Sequence, residues 1–508
     1  MKSVYVDTAA LEAAAKEKFA FPEMVMMENA AAALEHALDG IAAAEKAEAF
    51  ALILCGSGGN GGDGLALARR IQERIACTVC LFQEPKTPEA KAQKRMAERA
   101  GVRFDVFSAD FFDALISDRS RTVIAVDCLF GVGFHGALPP DAADAITRIN
   151  ASDCRVIACD IPSGVCKDGS IATRDANGFP LAFRADCTVT MGALKTALYS
   201  DGAKDFTGTI VCAPLGVSER LFLGSAVPDA LLLEISDMRL PIRTQKSAHK
   251  GAFGHAVTIS GEKPGAAVIA ARAALQFGSG LVSVVESGLS ESRTELPCSL
   301  MSADCIPEAA DAALVGSGLG RSENAMHYIE ETVLPFIMRM PNKTCVLDAD
   351  IFYYKNLPSV LRALCEDECA RVILTPHPKE LSSLLALCGL TEFDAVKQRF
   401  DAVRAFSLRF PQLTLVAKGA VTYIASGGTT YIADCGSSAL AKAGSGDVLA
   451  GLCTALLAQG WRPDAAAKTA VLAHALAGAA HKTNYALTPL SLIEEISRLP
   501  ERYGISSV

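Results

Sequence analysis

Short apolar runs alternate with amphipathic stretches in the first half of the chain. Residues 51–55, 122–126 and 155–159 are such runs, and each is followed by glycine or aspartate. Residues 65–71 between them have the spacing of a helix. Apolar runs separated by helices are typical of a parallel sheet covered by helices on both faces. We therefore predict an α/β domain whose functional residues lie where the strands end.

The pattern loosens after residue 217, where prolines and mixed charges occur, and it resumes near residue 250. A helix is predicted at residues 266–277. Further strands are predicted at residues 256–260, 313–315, 344–347, 371–374 and 413–417. Two α/β domains, 1–217 and 243–508, joined by a linker at 218–242, are the simplest interpretation.

Composition narrows the class of protein. The chain has 508 residues, is 50% hydrophobic and carries a net charge of -9. Because phosphate contacts dominate nucleic-acid binding, an acidic chain without a basic cluster argues against that function. No secretion signal or long apolar span is evident, so we expect a cytoplasmic protein without a membrane partner. Cys77 and Cys80 form a lone CxxC, which we interpret as apolar side chains rather than a zinc site.

A glycine-rich segment, GSGGNGGDG at residues 56–64, follows the first apolar run. Such a segment lets backbone amides approach an anion at a helix start, although a plain tight turn remains an alternative. Asn60, Asp127 and Ser163 each follow a predicted strand. Their oxygen atoms suit an alkali or alkaline-earth cation, whereas capping of neighbouring helices is the other interpretation.

The second half contains GSGD at residues 444–447, ahead of a predicted helix. Glycine amides at a helix start form an anion hole, and Asp447 beside them can deprotonate a hydroxyl, as phosphoryl transfer requires. Helix capping by Asp447 is the alternative. His377 between two prolines favours a functional role. Lys418 ends a strand, where a solvated charge is the commoner case, and Asp348 with Asp350 suits metal or ribose contact as well as capping.

The first half resembles the YjeF N-terminal family, which includes NAD(P)H-hydrate epimerases. The resemblance rests on MENA at 27–30, the glycine segment, VDCLFGVG at 126–133, DIPSG at 160–164 and ADCTVTMGA at 185–193. It implies a Rossmann-like three-layer αβα sandwich, a potassium ion held by Asn60, Asp127 and Ser163, and Asp160 as catalytic acid/base. It implies a substrate site formed by Gly59, Asn60, Gly61, Gly62, Asp63, Gly131, Val132, Gly133, Phe134, His135, Gly136, Ala137 and Asp160. Gly59 departs from the family, where a second asparagine is common.

The second half resembles the YjeF C-terminal family of ADP/ATP-dependent NAD(P)H-hydrate dehydratases, with a ribokinase-like αβα fold. The shared segments include HKGAFG at 249–254, GSGLGR at 316–321, TPHPKE at 375–380 and GSGD at 444–447. The resemblance implies Asp447 as the catalytic base. It implies hydrate contacts at Ala267, Gly318, Gly320, His377 and Asp447. It implies nucleotide contacts at Lys418, Gly419, Ala420, Val421, Thr422, Gly444, Ser445 and Gly446. Lys379, Ser437-Ser438 and Ile351-Phe352 depart from the family pattern.

Together the two resemblances imply a bifunctional enzyme that repairs hydrated nicotinamide cofactors. One domain would epimerise (R)- and (S)-NAD(P)HX, and the other would dehydrate the S form at the expense of ADP, or of ATP, with magnesium. The expected partners are NADHX, NADPHX and an adenine nucleotide, and a homo-oligomer is common in the family. A ribokinase-type small-molecule kinase with a non-catalytic N-terminal ligand-binding domain is the alternative. An RNA-binding module is a third interpretation, which the acids and net charge disfavour.

Overall fold

The computed structural model describes residues 1–290 and 295–505 and divides them into two compact units. The front unit is Ser3–Ala230, and the back unit is Met1–Lys2 with Leu231–Val508. The division falls within the predicted linker at 218–242, which forms a short helix and a strand. The limits 1–217 and 243–508 stay predictions.

The front unit is an α/β sandwich. Its strands are β1 (Lys2–Tyr5), β2 (Glu48–Cys55), β3 (Ala76–Leu81), β4 (Arg103–Asp105), β5 (Arg121–Cys128), β6 (Arg155–Cys159), β7 (Cys187–Met191), β8 (Leu194–Lys195) and β9 (Thr209–Ala213). Its helices are α1 (Ala9–Lys18), α2 (Glu23–Ala44), α3 (Gly59–Ile71), α4 (Pro88–Arg99), α5 (Ala109–Ser117), α6 (Pro140–Asn150) and α7 (Glu219–Leu223). Seven strands form a parallel sheet in the order β4-β3-β2-β5-β6-β7-β9.

Helices cover both faces of this sheet, because side chains alternate along each strand. On β2, Ala51 and Ile53 belong to one apolar core, which includes residues of α2 and α3. Leu52 and Leu54 belong to a second core, which includes residues of α5 and α6. The predicted three-layer arrangement is thereby confirmed.

Helix α3 begins at Gly59, six residues before the predicted start. Glycine weakens a helix, but tight packing requires it here. A Cβ atom on Gly61 would lie 1.9 Å from the Gly56 carbonyl oxygen, and one on Gly62 would lie 2.5 Å from the Met27 methyl group. The glycine-rich segment is therefore the first turn of a buried helix as well as a loop.

The back unit has a second, mostly parallel sheet. Its strands are β10 (Ala230–Leu232), β11 (His255–Ser260), β12 (Leu281–Glu286), β13 (Met301–Ala303), β14 (Ala312–Val315), β15 (Cys345–Leu347), β16 (Val372–Leu374), β17 (Thr414–Ala417), β18 (Thr422–Ser426) and β19 (Thr429–Ala433). Their order is β13-β12-β11-β14-β15-β16-β17-β18-β19-β10, and β18 runs antiparallel to both its neighbours.

Ten helices accompany the back sheet within the described residues. They are α8 (Pro264–Gln276), α9 (Glu323–Tyr328), α10 (Leu334–Arg339), α11 (Leu357–Cys365), α12 (Pro378–Leu387), α13 (Arg399–Arg409), α14 (Ser445–Ala458), α15 (Pro463–Ala480), α16 (Pro489–Ser497) and α17 (Leu499–Arg502). Residues of α8, α14, α15 and α16 join the strands in one apolar core. The predicted α/β class is thus confirmed for this unit too, and its strands end beside the start of α14.

Candidate functional sites

A cavity of about 700 Å³ lies at the carboxyl ends of the front strands. The predicted substrate residues that line it are Gly59, Asn60, Asp63, Gly131, Val132, Gly133, Phe134, His135 and Asp160. Gly61 and Gly62 lie buried beneath this lining, and Gly136 and Ala137 lie exposed beyond it. The structure therefore brings most of the predicted front site together around one cavity.

Asp160 is held in an unusual position at the end of β6. Its φ is 69°, a backbone region that costs about 1–3 kcal/mol for a residue other than glycine, and such residues cluster at functional sites. Its carboxylate is 2.7 Å from the Lys195 ammonium and accepts hydrogen bonds from the amides of Val132 and Met191. The surrounding structure thus fixes one carboxylate at the cavity wall.

Lys195 is a functional candidate that the sequence reasoning missed. Its side chain is 2% exposed, and its ammonium also donates to the carbonyls of Met191 and Ala193 and to the hydroxyl of Thr190. A buried charge is costly unless it is paired and hydrogen-bonded. These hydrogen bonds therefore stabilise the buried Lys195 ammonium and hold it beside Asp160. The only signal in the sequence is a lysine two residues after the ADCTVTMGA segment.

Burial also changes the protonation of a second acid in the cavity. Desolvation raises the pKa of Asp63 well above its ordinary value, and the neighbouring charge of Asp160 adds to that shift. The thiol of Cys159 lies 3.7 Å from the Asp63 carboxylate. Burial therefore favours the neutral form of Asp63 more than it would for an exposed aspartate, and the Asp63 carboxyl oxygen accepts a hydrogen bond from the Cys159 thiol.

Of the three predicted cation ligands, Asp127 and Ser163 contact each other, and Asn60 joins them through the Phe130 carbonyl, to which both Asn60 and Ser163 donate. The Ser163 hydroxyl donates to Asp127 at 2.6 Å, and the Asn60 amide reaches the Phe130 and Cys159 carbonyls. Burial raises the pKa of Asp127 to about 7, and no lysine or arginine among the described residues forms an ion pair with it. A buried carboxylate surrounded by amide, hydroxyl and carbonyl oxygen atoms fits an alkali cation, whose charge would offset that of Asp127.

The back unit has its own anion-binding geometry. Gly444, with φ of 89°, precedes α14, and a Cβ atom there would lie 2.5 Å from the Pro489 ring. The Ser445 hydroxyl is 3.0 Å from Nε2 of His474, whose pKa burial lowers to about 4. A neutral, buried histidine therefore holds the first residue of the helix, so that its free amides face the strand ends.

Asp447, in the first turn of α14, lies within electrostatic reach of Lys418, whose side chain is half-buried. The Lys418 ammonium is 2.9 Å from Asp348, which also accepts hydrogen bonds from Ser317 and Thr375. Burial, with the charge of Asp348, raises the pKa of Asp447 to about 6. Lys418 is thus not a solvated charge, contrary to the commoner case. The Asp348 side chain makes no helix cap, which was one of the two interpretations left open for it.

His377 caps α12 through its ring. Its Nδ1 accepts hydrogen bonds from the amides of Lys379 and Glu380, and its Nε2 lies 3.0 Å from the Glu380 carboxylate. Burial raises the pKa of Glu380 to about 7, while desolvation and the nearby Lys418 lower that of His377. His377 is exposed, as predicted, and these hydrogen bonds orient its ring, while its contact with the hydrate stays a prediction.

The Lys418–Thr422 segment turns over Arg399, a residue that the sequence did not reveal. The buried guanidinium donates to the carbonyls of Lys418 and Val421. A Cβ atom on Gly419 would lie 1.7 Å from Nη1 of Arg399, so a side chain at this position would require the guanidinium to shift. Arg399 therefore sets the shape of the predicted nucleotide turn.

Comparisons with known proteins match both halves. The YjeF-related protein N-terminus profile covers residues 23–197, and the NAD(P)H-hydrate dehydratase profile covers residues 256–498. A bifunctional NAD(P)H-hydrate repair enzyme Nnr from Helicobacter pylori is 40% identical over 98% of this chain and 100% of its own length. Its counterpart from Coxiella burnetii is 33% identical over 84% of each chain. This chain belongs to the bifunctional NAD(P)H-hydrate repair enzyme family.

A solved structure gives a further likeness. The ADP/ATP-dependent NAD(P)H-hydrate dehydratase from Bacillus subtilis, co-crystallised with ATP and Mg²⁺, is 24% identical, with a TM-score of 0.44. It covers 55% of this chain and 100% of its own length.

The remaining predicted residues of this repair-enzyme chain fall around the back site. Gly318 and Gly320 have positive φ, and the Gly320 amide donates to Asp350 at 3.0 Å. Ala267 is buried on α8. Of the residues that depart from the family pattern, Lys379 is exposed, Ser437 caps a short 3₁₀ turn, and Ile351 and Phe352 are buried.

Proposed function

We propose that the front unit interconverts (R)- and (S)-NAD(P)HX and that the back unit dehydrates the S form to NAD(P)H. The observation that carries this proposal is the pair of separate sites, each with a carboxylate beside the glycine-rich start of a helix. The relatives above are named bifunctional NAD(P)H-hydrate repair enzymes, and this chain spans the whole length of the one from Helicobacter pylori. Fusion supplies the S form to the dehydratase from the R form.

The front reaction inverts a carbon that carries a hydroxyl beside the ring nitrogen. The amides at the start of α3 bind the substrate diphosphate, because a helix start favours anions. Asp160 moves a proton at the reacting hydroxyl, with its position fixed by Lys195. Asn60, Asp127 and Ser163 would hold a potassium ion, which supplies positive charge beside the phosphates.

The back reaction transfers a phosphoryl group to the hydroxyl of the hydrate, and phosphate then leaves. Asp447 accepts the hydroxyl proton, since the raised pKa of about 6 suits a base near neutral pH. The Gly444, Ser445 and Gly446 amides stabilise the charge on the transferred group. Lys418 and the turn through Gly419, Ala420, Val421 and Thr422 bind the nucleotide, with which magnesium enters.

The finer assignments follow from the family and the composition. We propose ADP as the preferred donor, with AMP and phosphate as products, and both NADHX and NADPHX as substrates. We further propose a cytoplasmic homo-oligomer with no nucleic-acid partner. No helix of the described chain is long and apolar enough to cross a membrane.

Absorbance of NADH tests the proposal directly. A mixture of (R)- and (S)-NADHX is incubated with the enzyme, potassium, magnesium and either ADP or ATP. Full recovery of NADH at an enzyme-dependent rate is expected, and the faster nucleotide identifies the donor. Recovery that stalls once the S form is consumed would contradict the epimerase. No recovery with either nucleotide would favour the ribokinase-type kinase, whose site needs the same anion hole and base.

A further inference from the structure

The segment ahead of the matched family profile, residues 1–22, contributes to the front cavity. Strand β1 pairs in parallel with β8, and Tyr5 lies opposite Lys195 in that pairing. Helix α1 follows after three residues and is anchored by the buried Leu11 and Ala15. Because β1 lies beside the strand that carries Lys195, α1 begins close to the Asp160–Lys195 pair.

Glu12, in the first turn of α1, lines the cavity together with Asp160. It is half-buried, and its carboxylate accepts a hydrogen bond from the buried Thr8 hydroxyl at 3.2 Å. The charges of Lys195 and Asp160 both act on Glu12. Glu12 and Asp160 therefore face one space from two different elements, with the Lys195 ammonium within electrostatic reach of both.

Burial raises the pKa of Glu12, and Asp160 raises it further, whereas Lys195, Thr8 and Lys16 oppose the shift. The other charged or titratable groups of the cavity lining are Glu23, Asp63, Lys86 and His135. Helix α7, which packs against α1, carries Glu219 and Arg220, and both are exposed. The net effect favours a neutral carboxylic acid, which is the form that can donate a proton.

We propose that Glu12 is a second catalytic acid–base residue of the epimerase, acting together with Asp160. This inference rests on the proposed epimerisation and deepens it. An inversion needs a proton delivered to the hydroxyl that departs from one face and a proton removed from the water that adds to the other. Two carboxyl groups that line one cavity from different elements, α1 and the end of β6, can provide both.

The step balances without any redox partner. Glu12 gives its proton to the hydroxyl oxygen, the carbon–oxygen bond breaks with its electron pair on oxygen, and water leaves. The lone pair of the ring nitrogen forms an iminium cation. Water then adds to the opposite face, the nitrogen regains its lone pair, and Asp160 takes the proton from that water. The proton returns to Glu12 through solvent, and the reverse direction exchanges the two roles.

Glu12→Gln keeps the shape of the side chain but removes the acid. We expect the kcat of epimerisation to fall about 10²-fold, with the KM for the hydrate changed less than about threefold. The matched control is Glu17→Gln on the same helix, since Glu17 is exposed and does not line the cavity. An unchanged KM for the hydrate would show that the cavity of the variant is correctly formed. The dehydratase activity of the same chain measures how much folded enzyme is present.

The pH profile separates a catalytic role from a structural one. Wild-type epimerisation should slow as rising pH removes the Glu12 proton, and Glu12→Gln should abolish that dependence. Glu12→Asp keeps an acid and should retain at least about a tenth of the activity. If Glu12→Gln epimerises within about threefold of wild type, or Glu12→Asp is as inactive as Glu12→Gln, the role assigned to Glu12 is wrong. A wild type without epimerisation would instead contradict the proposed function.

Oxygen exchange checks which bond breaks. In ¹⁸O-labelled water, breaking the carbon–oxygen bond places ¹⁸O in the epimerised hydrate at the rate of epimerisation. Epimerisation by the wild type without incorporation would mean that the carbon–nitrogen bond opens, and it would overturn the proposed step.

Discussion

At the scale of single residues, the raised pKa of Asp447 suits its proposed role as a base but lowers the stability of the folded chain at neutral pH. Its pKa lies at about 6, above the ordinary value of 3.8, mainly because of burial. Ionisation is therefore less favourable in the folded chain than in the unfolded chain. The stability that the neutral form provides is complete below about pH 4 and is lost as pH rises through 6.

Asp447→Asn should abolish dehydration and also raise the stability of the back unit at pH 8, by about 1 kcal/mol or more. Wild-type dehydration should fall as pH drops below about 6, where the base becomes protonated. Thermal unfolding and a pH–rate profile measure the two effects. Asp464→Asn is the control, because ion pairs with Lys468 and Arg462 outweigh burial and lower the Asp464 pKa, so its loss should destabilise. If Asp447→Asn were less stable than the wild type at pH 8, the destabilising effect assigned to the buried charge of Asp447 would be contradicted.

Single residues differ in how far the sequence predicts them. Asp160 and Asp447 stand in local motifs, and the structure places Asp160 directly after a strand and Asp447 in the first turn of a helix, as expected. Glu12, Lys195 and Arg399 stand in no motif. Their roles arise because distant segments meet, as β1 meets β8 and α13 meets the turn after β17. Pairing of that kind depends on tertiary contacts that one sequence alone does not reveal.

At the scale of elements, helix α13 supports the nucleotide turn through Arg399. Its guanidinium donates to the carbonyls of Lys418 and Val421 and lies 4.8 Å from the Tyr423 ring. Lysine retains the charge but lacks the second arm of the guanidinium. The geometry of the turn therefore depends on arginine itself.

Arg399→Lys should raise the KM for the nucleotide about tenfold, which corresponds to about 1.4 kcal/mol, within the range for one hydrogen bond to a charged group. The kcat of dehydration and the epimerase rate should change little. Steady-state kinetics with varied ADP or ATP measure this, and Arg409→Lys on the exposed side of the same helix is the control. An unchanged nucleotide KM would show that the turn holds its shape without Arg399.

Element boundaries were predicted less well than element types. The eight strands that the apolar runs predict are present, with ends that agree within about three residues, and the other strands were not predicted. Helix α3 begins six residues early, because packing against Met27 and Gly56 outweighs the low helix propensity of glycine. Helix α1 was not predicted, since its burial depends on only Leu11 and Ala15.

At the scale of the whole molecule, two units of the same α/β class carry two different sites on one chain. The order of motifs predicted that the first half belongs to the YjeF N-terminal family and the second half to the dehydratase family. The match to relatives along nearly the whole chain confirms that assignment. Each unit contains its own proposed catalytic carboxylate, so the two activities should be separable by mutation although they share a substrate.

The most direct test of this claim is NADH recovery from mixed (R)- and (S)-NADHX by two single variants, assayed apart and together. Asp160→Asn should dehydrate the S form at the wild-type rate and then stall. Asp447→Asn should epimerise but release no NADH, with a loss of at least about 10²-fold. The two variants mixed should restore full recovery, because the hydrate passes between them in solution. If Asp447→Asn still converted (S)-NADHX to NADH, the assignment of two separate sites would be contradicted. The same holds if NADH recovery by the mixture stopped once the initial (S)-NADHX was consumed.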